Sequence, residues 1–344
     1  MLDIFNNDAF SVVNLTDAIN DIAFVPGRIA ESGLFRADGI TTTAAAIELK
    51  GTSLILVPPT PRGAPGTTVS DSKGRKLIDV RVPHFEINDA VMAEEVQGVR
   101  AFGSETELET VQGKVAEKSA DHSQSFAATT EFNQLGAIKG VVTYADGSEL
   151  DLFQTFGLQA PAVINFNPTA LKAAKDDGAF RKWCAGVIRS VTAELGGLPW
   201  SGKVRMLCGD DFFDYVLGLQ EVRETFMGWN EAKILREGYI EPNGKSYGAF
   251  EFGDIVFENY RGQVGEHKFV ESDEGHAYPE GVPGLFRTYW APADYEETVN
   301  TKGKRLYGKQ YPMPNGKGRH FDVQMNELNI CTRPRALRSF KKTG

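Results

Sequence analysis

The sequence predicts an α+β fold with a long projecting hairpin, a long helix and strands that return at the C-terminus. Three observations carry this. Strand-period segments flank a proline- and glycine-rich connection at 47–85. A capping-box signature opens a long run of helical spacing at 105, and aromatic strand segments recur after 285.

Residues 1–46 mix short apolar patches, Ile22 to Val25 with Leu34 and Phe35, with Pro26, Gly27, Gly33 and Gly39, and close on Thr41 to Ala46. Such a segment owns no core and is expected to lie as an arm along the rest of the chain or along a neighbour. A helical segment broken by turns is the alternative. Ile47 and Leu49 then alternate with Glu48 and Lys50, and Leu54 to Val57 continue the apolar run. Farther on, Ile78, Val80 and Val82 alternate with Asp79 and Arg81. These are two strand signatures. Between them, Pro58 to Lys76 carries Pro58, Pro59, Pro61, Pro65, Gly63, Gly66 and Gly74, with Val69 its only bulky apolar residue. A connection this long with so little to bury projects from the body as a hairpin tip. It suits an active-site lid or a reach toward a neighbouring subunit, and the lack of a catalytic constellation nearby favours the reach.

Ser104 and Glu107 form a capping box, with Glu105 near the positive end of the helix dipole. Leu108, Val111, Val115, His122, Phe126, Thr129 or Phe132, and Leu135 make a narrow stripe ending near Gly136 or Gly140. A helix over 105–135 is roughly 46 Å long. Ser119 and Gly113 interrupt the stripe, so the helix is expected to lie across a sheet with its other face exposed or shared; a break near Gly113 is the alternative. Asp146-Gly147 between short strand-like runs is a hairpin turn.

From Asn165 to Tyr260 a compact mixed α+β unit is expected. Pro168 opens one helix, or two divided at Gly178, and Gly196-Gly197-Leu198-Pro199 stops it. Val204 to Cys208 reads as a buried strand, Asp210-Asp211 as the aspartate cap of a helix, and Tyr247 to Tyr260 as strands. Later, Leu285 to Tyr289 reads as a strand broken at Trp290-Ala291-Pro292, and 312–318 is turn-rich. Phe321, Val323 and Met325 fall on one strand face but Leu328 and Ile330 on the other, which predicts a bulge or two consecutive strands near Asn326 or Glu327. Arg333, Arg335, Arg338, Lys341 and Lys342 form a basic tail without acidic residues, read as a solvated terminus, or else as a patch for nucleic acid or an acidic neighbour.

A net charge of −9 argues against a protein whose main task is gripping phosphate. Cys184, Cys208 and Cys331 have no close spacing and read as reduced thiols. No basic start precedes an apolar run, and no 18 consecutive apolar residues occur, so a soluble chain made in the cytoplasm, with no membrane contact, is expected. His84 with Glu86, Cys208 with Asp210 and Asp211, and His276 near Asp273, Glu274 and Glu280 are the candidate nucleophile or metal sites. None has a nucleophile elbow, P-loop, metalloprotease helix or zinc spacing behind it. His84 reads as structural, Cys208 as a small core hydrophobe, and His276 as part of a solvated acidic loop. No catalytic, cofactor-binding or metal residue is assigned, and the chain is read as no enzyme.

Gly284-Leu285-Phe286-Arg287-Thr288-Tyr289, the acidic-aromatic stretch Asp294 to Glu297 and the closing block Arg319 through Leu328, together with the order of parts, resemble the lambda-like phage major capsid protein E family. The resemblance implies the Hong Kong 97-type capsid fold. It implies an N-terminal arm at 1–46, an extended loop at 47–85, and a peripheral domain of 86–165 and 285–344 with spine helix 105–135. An axial domain at 166–284 completes it. It further implies self-assembly, as pentamers and hexamers in a closed shell, into the icosahedral head of a tailed double-stranded DNA phage. Scaffold and portal proteins, a small decoration protein in some members, and packaged DNA in weak nonspecific contact are the implied partners. The site would be the virion capsid, after assembly in the host cytoplasm. A non-viral compartment subunit of the same fold is the alternative. Lys76 and Asn329 are available residue types for a covalent crosslink, but one sequence gives no basis for proposing it.

Overall fold

The computed structural model describes residues 27–49, 76–96, 111–167, 178–196, 198, 200, 202–227, 248–265 and 267–343. Arm residues 1–26, the hairpin tip 58–75, the capping box at Ser104 and Glu107, and the helix start at Pro168 lie outside them. In chain order the elements are α1 (Arg28–Glu31), β1 (Arg36–Gly39), β2 (Ala44–Leu49), β3 (Lys76–Arg81), β4 (His84–Met92), α2 (Ala93–Val96), α3 (Val111–Lys139), β5 (Val141–Thr143), β6 (Glu149–Asp151), α4 (Leu152–Phe156) and β7 (Ile164–Phe166). There follow α5 (Ala179–Glu194), β8 (Val204–Cys208), α6 (Asp210–Leu217), α7 (Gln220–Met227), β9 (Ala249–Phe252), β10 (Ile255–Asn259), β11 (Gln263–Val264), β12 (His267–Lys268), β13 (Glu274–Pro279), β14 (Phe286–Trp290), β15 (Tyr307–Pro312), β16 (Gly318–Cys331) and β17 (Arg338–Lys342).

Two sheets organise these elements. In the five-stranded sheet β16 is the axis: β15 and β4 pair antiparallel along its first half, β14 along its second, and β1 adds parallel to β14. The six-stranded sheet runs β7-β17-β13-β8-β10-β9, so a strand from the last residues of the chain lies inside the sheet built by its middle. The predicted hairpin stem is present: β2 and β3 pair from Ala44↔Arg81 to Leu49↔Lys76. Ala45, Ile47 and Val80 are buried on one side of the stem, packed into the core that also holds Leu152 and Phe156.

Helix α3 has 29 described residues, about 44 Å at 1.5 Å per residue, and passes Gly113 and Ser119 without a break. Ser119 Oγ donates to the Val115 carbonyl. Val115, Phe126 and Leu135 from the predicted stripe are buried, while much of the opposite face in the first two-thirds is open to solvent. The helix runs four residues past the predicted end at Leu135. Gly136 is inside it as a close-approach residue, because a Cβ there would sit 2.7 Å from the Val142 Cα of the following hairpin. Gly140, with φ of 90°, makes the left-handed stop. The Asp146-Gly147 turn joins β5 to β6 as expected, with Gly147 at φ 81°, and Asp151 then caps α4 by accepting from the Phe153 and Gln154 amides.

Three expectations are corrected. Strand β16 runs unbroken over 14 residues, and each of its three partners keeps one register over the stretch that it pairs. Phe321, Val323 and Met325 face the helix residues Val115 and Phe126, whereas Leu328 and Ile330 enter the main core on the other face. The inward face changes because the strand passes from one core to the next, and both faces are buried from Gln324 onward. The aspartate cap of α6 is not made: its N-cap is Gly209, and Asp210 and Asp211 accept instead from Asn259, Arg261 and Ser272. Finally, the segment around His276 is no solvated loop but β13, at the centre of the six-stranded sheet.

Glycine substitutions separate close approach from simple flexibility. Gly136→Ala is expected to cost about 1–3 kcal/mol through overpacking. Gly186→Ala, in α5 with nothing within 4 Å of the new methyl, is expected to gain up to about 1 kcal/mol from helix propensity. Chemical denaturation of the two variants checks both signs.

Candidate assembly surfaces and the anchors that place them

Two carboxylates that the sequence reading did not single out set the geometry. Glu131 of α3 is 2% exposed and Glu258 of β10 is 1% exposed. The Glu131 carboxylate accepts from the Gly27 and Ile29 amides at the start of α1 and from the Tyr260 hydroxyl at 2.7 Å. It thereby satisfies donors that a helix start leaves without intrahelical partners. Glu258 accepts a bidentate pair from Arg28 at 2.7 and 2.9 Å and a further bond from Arg205 of β8, which also bonds Glu280. Residues 27–31 are thus tied to the long helix and to the six-stranded sheet at once. From sequence both glutamates read as ordinary polar positions, and no local spacing marks either as buried.

The basic tail is engaged by partners within the chain, with Arg338 buried and Arg335 and Lys341 still exposed, which corrects its reading as a free solvated terminus. Arg338 is buried and its guanidinium donates to Ser190, Arg335 and Leu337 oxygens. Arg335 pairs with Glu194 at 2.9 Å, Lys341 with Asp273 at 3.5 Å, Arg333 bonds the Leu195 carbonyl, and the Lys342 ammonium sits 4.2 Å from the Tyr215 ring centroid. A strand placed between β7 and β13 carries its charges to partners within the same sheet and its covering helices.

The residues weighed for chemistry are placed apart. His84 of β4 bonds Asn326 of β16 at 2.7 Å and Glu86 of its own strand at 3.4 Å. Cys208 is fully buried, and burial pushes its thiol well above the usual range; burial also pushes Cys184 and Cys331 up to about 12. Asp210 and Asp211 point to other partners. His276 lies between Glu274 at 3.1 Å and Ser339 at 3.2 Å, while Asp273 and Glu280 are engaged by Lys341 and Arg205. Burial lowers the His276 pKa against the opposing pull of Glu274, whose own carboxyl is held down chiefly by the His276 bond. Among the described residues no cluster of three His, Cys, Asp or Glu side chains could hold a metal.

A family model for phage major capsid protein E matches residues 11–342. The chain belongs to the phage major capsid protein E family. It is accordingly the major capsid protein of a tailed double-stranded DNA phage, at home in the virion shell. The major capsid protein of Pseudomonas phage KPP10 is 27% identical over 347 residues, 95% of each chain. In fold, the chain is similar to a crystal structure assigned as a prophage capsid protein of E. coli CFT073, at 13% identity and TM-score 0.55, covering 97% and 99% of the two chains. It is similar again to the mature capsid of bacteriophage PhiM1, at 14% identity and TM-score 0.50, covering 90% and 85%. The α+β architecture is therefore one that resembles Hong Kong 97-like capsid folds.

In a capsid subunit the surfaces to inspect are those the single chain leaves uncovered. Leu77 on the hairpin stem is 63% exposed and Val299 before β15 is 65% exposed. On the five-stranded sheet, the face turned away from α3 carries Glu86 and Asn88 of β4, His320 and Asp322 of β16, and Tyr311 of β15. These residues line an open hollow of about 520 Å³. With its amide turned to satisfy its neighbours, Asn88 donates to Glu86 at 3.1 Å and to Asp322 at 2.9 Å.

Two measurements follow from this geometry. Glu258→Ala removes the bidentate carboxylate partner of Arg28 and one of the two carboxylate partners of Arg205, and is expected to cost the capsid subunit about 3–5 kcal/mol. Lys309→Ala, which removes an exposed pair with Glu297, is expected to cost under about 1 kcal/mol; denaturant midpoints distinguish them. Because the folded pKa of His276 lies below the ordinary 6.5, its contribution to stability is full above pH 6.5 and is lost as pH falls from there toward the folded value. The thermal midpoint is expected to drop over that window, and His276→Gln is expected to flatten the drop.

Proposed function

We propose that the chain works by geometric assembly, as the subunit of pentamers and hexamers that close into an icosahedral head. In this reading 47–85 is the extended loop laid over an adjacent subunit, and α3 belongs to the spine helix placed at 105–135, which it carries four residues farther. Residues 86–165 with 285–344 form the peripheral domain, and 166–284 the axial domain around capsomer axes. Strand β17, paired with β7 and β13, couples the two. The observation that carries the reading is the hairpin stem: β2 and β3 root a connection of 26 residues and leave Leu77 exposed at its described end. A connection of that length, with Val69 the only bulky apolar residue of 58–76, has little side chain to bury against its own body and suits a reach toward a neighbouring subunit.

Assembly proceeds in the host cytoplasm with scaffold and portal proteins and ends around packaged DNA. The net charge of −9 suits a wall that does not grip DNA strongly. A decoration protein is a further partner in this reading. No catalytic step is assigned to the chain. Closed shells rather than open-ended growth require heterologous contacts whose rotations close.

Expression of the full chain with its scaffold, followed by sedimentation and negative-stain microscopy, is expected to give closed shells; a monodisperse monomer at every concentration would overturn the proposal. Deleting residues 58–75 is expected to abolish shells while leaving the thermal midpoint of the subunit within a few degrees of the parent. Shells of normal yield from that deletion would remove the extended-loop assignment.

A further inference from the structure

A subunit of net charge −9 repels its own copies, so close packing needs surfaces where the sign is locally reversed. Many cations of the described chain are engaged in ion pairs, and Lys317 and Arg319 form an unpaired couple at the start of β16. The densest unpaired group is the loop before β15, where Lys302, Lys304 and Arg305 fall within four residues and enter no ion pair among the described residues. Lys302 and Lys304 flank Gly303, and all three cations are exposed. Val299, the most exposed large apolar side chain described, precedes them.

This loop is held rigidly. Gly303 donates to the Ile40 carbonyl at 2.8 Å, and a Cβ on it would collide with the Trp290 carbonyl, as one on Gly39 would with the Gly303 carbonyl. The Lys304 amide donates to the Tyr307 hydroxyl at 2.9 Å, Thr298 Oγ1 bonds the Ala293 carbonyl at 2.6 Å, and Asn300 takes a positive φ of 57°. Backbone strain of that kind persists where surrounding structure over-determines it. A cationic loop fixed in advance loses little entropy on docking.

The complementary surface is the uncovered sheet face described above. Glu86, Asp322 and the neighbouring Glu297 there oppose the single ammonium of Lys309, which is already paired with Glu297. Asn88 holds the first two carboxylates together, and the half-exposed Tyr311 ring offers an apolar surface beside them. We propose that the loop 299–305 of one copy docks on this face of a second copy, Lys302, Lys304 and Arg305 meeting Glu86 and Asp322, and Val299 meeting Tyr311. The exposed valine favours a protein partner over the phosphate backbone, which has no use for it. The inference rests on the assembly reading and names a contact within it.

The test is charge reversal with rescue in the full chain, expressed with scaffold and scored by shell yield. K302E/K304E/R305E and E86K/D322K are each expected to lower the yield about ten-fold or more, and their combination to recover most of it. Should a reversal lower the thermal midpoint of the subunit, the neutral sets K302Q/K304Q/R305Q and E86Q/D322N replace it, each then expected to lower the yield and to weaken its dependence on salt. A combination no better than either reversal alone, with both folded, overturns the contact. So does a loop variant that assembles fully, including one whose shells fail only to retain DNA. If the parent chain forms no shells, the assembly reading itself has failed, a result distinct from either.

Discussion

Burying a carboxylate obliges the fold to surround it with donors, and the two buried glutamates at 131 and 258 are where this chain meets that obligation. Their donors come from three places: the start of α1 with Gly27, Arg28 and Ile29, Arg205 of β8, and the Tyr260 position just after β10. A well-packed apolar cluster could stabilise the junction as well, since a buried ion pair recovers little more than its desolvation cost. What the carboxylates supply is directional matching. The long helix, the six-stranded sheet and the incoming segment fit together in one arrangement, because any other leaves a charge unpaired.

That junction makes the remaining design intelligible. The last third of α3, from Thr130 to Ile138, is buried almost all round, while the part before it lies on β16 with one face open. Strand β16 follows the same course, moving from the small core under the helix into the main core. A rigid body results, from which the hairpin stem and the 299–305 loop can present surfaces at fixed positions. A shell subunit needs this: contacts with several neighbours must be made simultaneously, so the elements that make them cannot each settle independently.

Much of this was legible in the residues. The alternation at 47–49 and 78–82 foretold a paired stem, and Asp146-Gly147 its own turn. Valine and phenylalanine spacing from Val115 foretold a long helix on a sheet. The words around Gly284 and Arg319 foretold the capsid family, and those residues became β14 and β16. Other signals misled for physical reasons. Of the two glycines that read as the helix stop, Gly140 serves as one and Gly136 does not, because propensity knows nothing of the Val142 backbone packed against Gly136. The sequence around His276 reads as a polar loop because a central strand that buries a histidine–glutamate pair has no apolar alternation to display. The arginines and lysines after 333 read as solvated because their partners, Ser190, Glu194 and Asp273, are distant in the chain.

Sequence by itself determined the elements whose cause is local: turns set by glycine and aspartate, a helix set by spacing, strands set by alternation, and a family set by its words. Tertiary structure alone decided which charges are buried, which strand lies between which neighbours, and which face of the five-stranded sheet stays open. The reason is that a charge or an edge is costly or free according to what covers it, and the covering groups here come from residues more than a hundred positions away, as with Glu131 and Gly27 or Arg28 and Glu258.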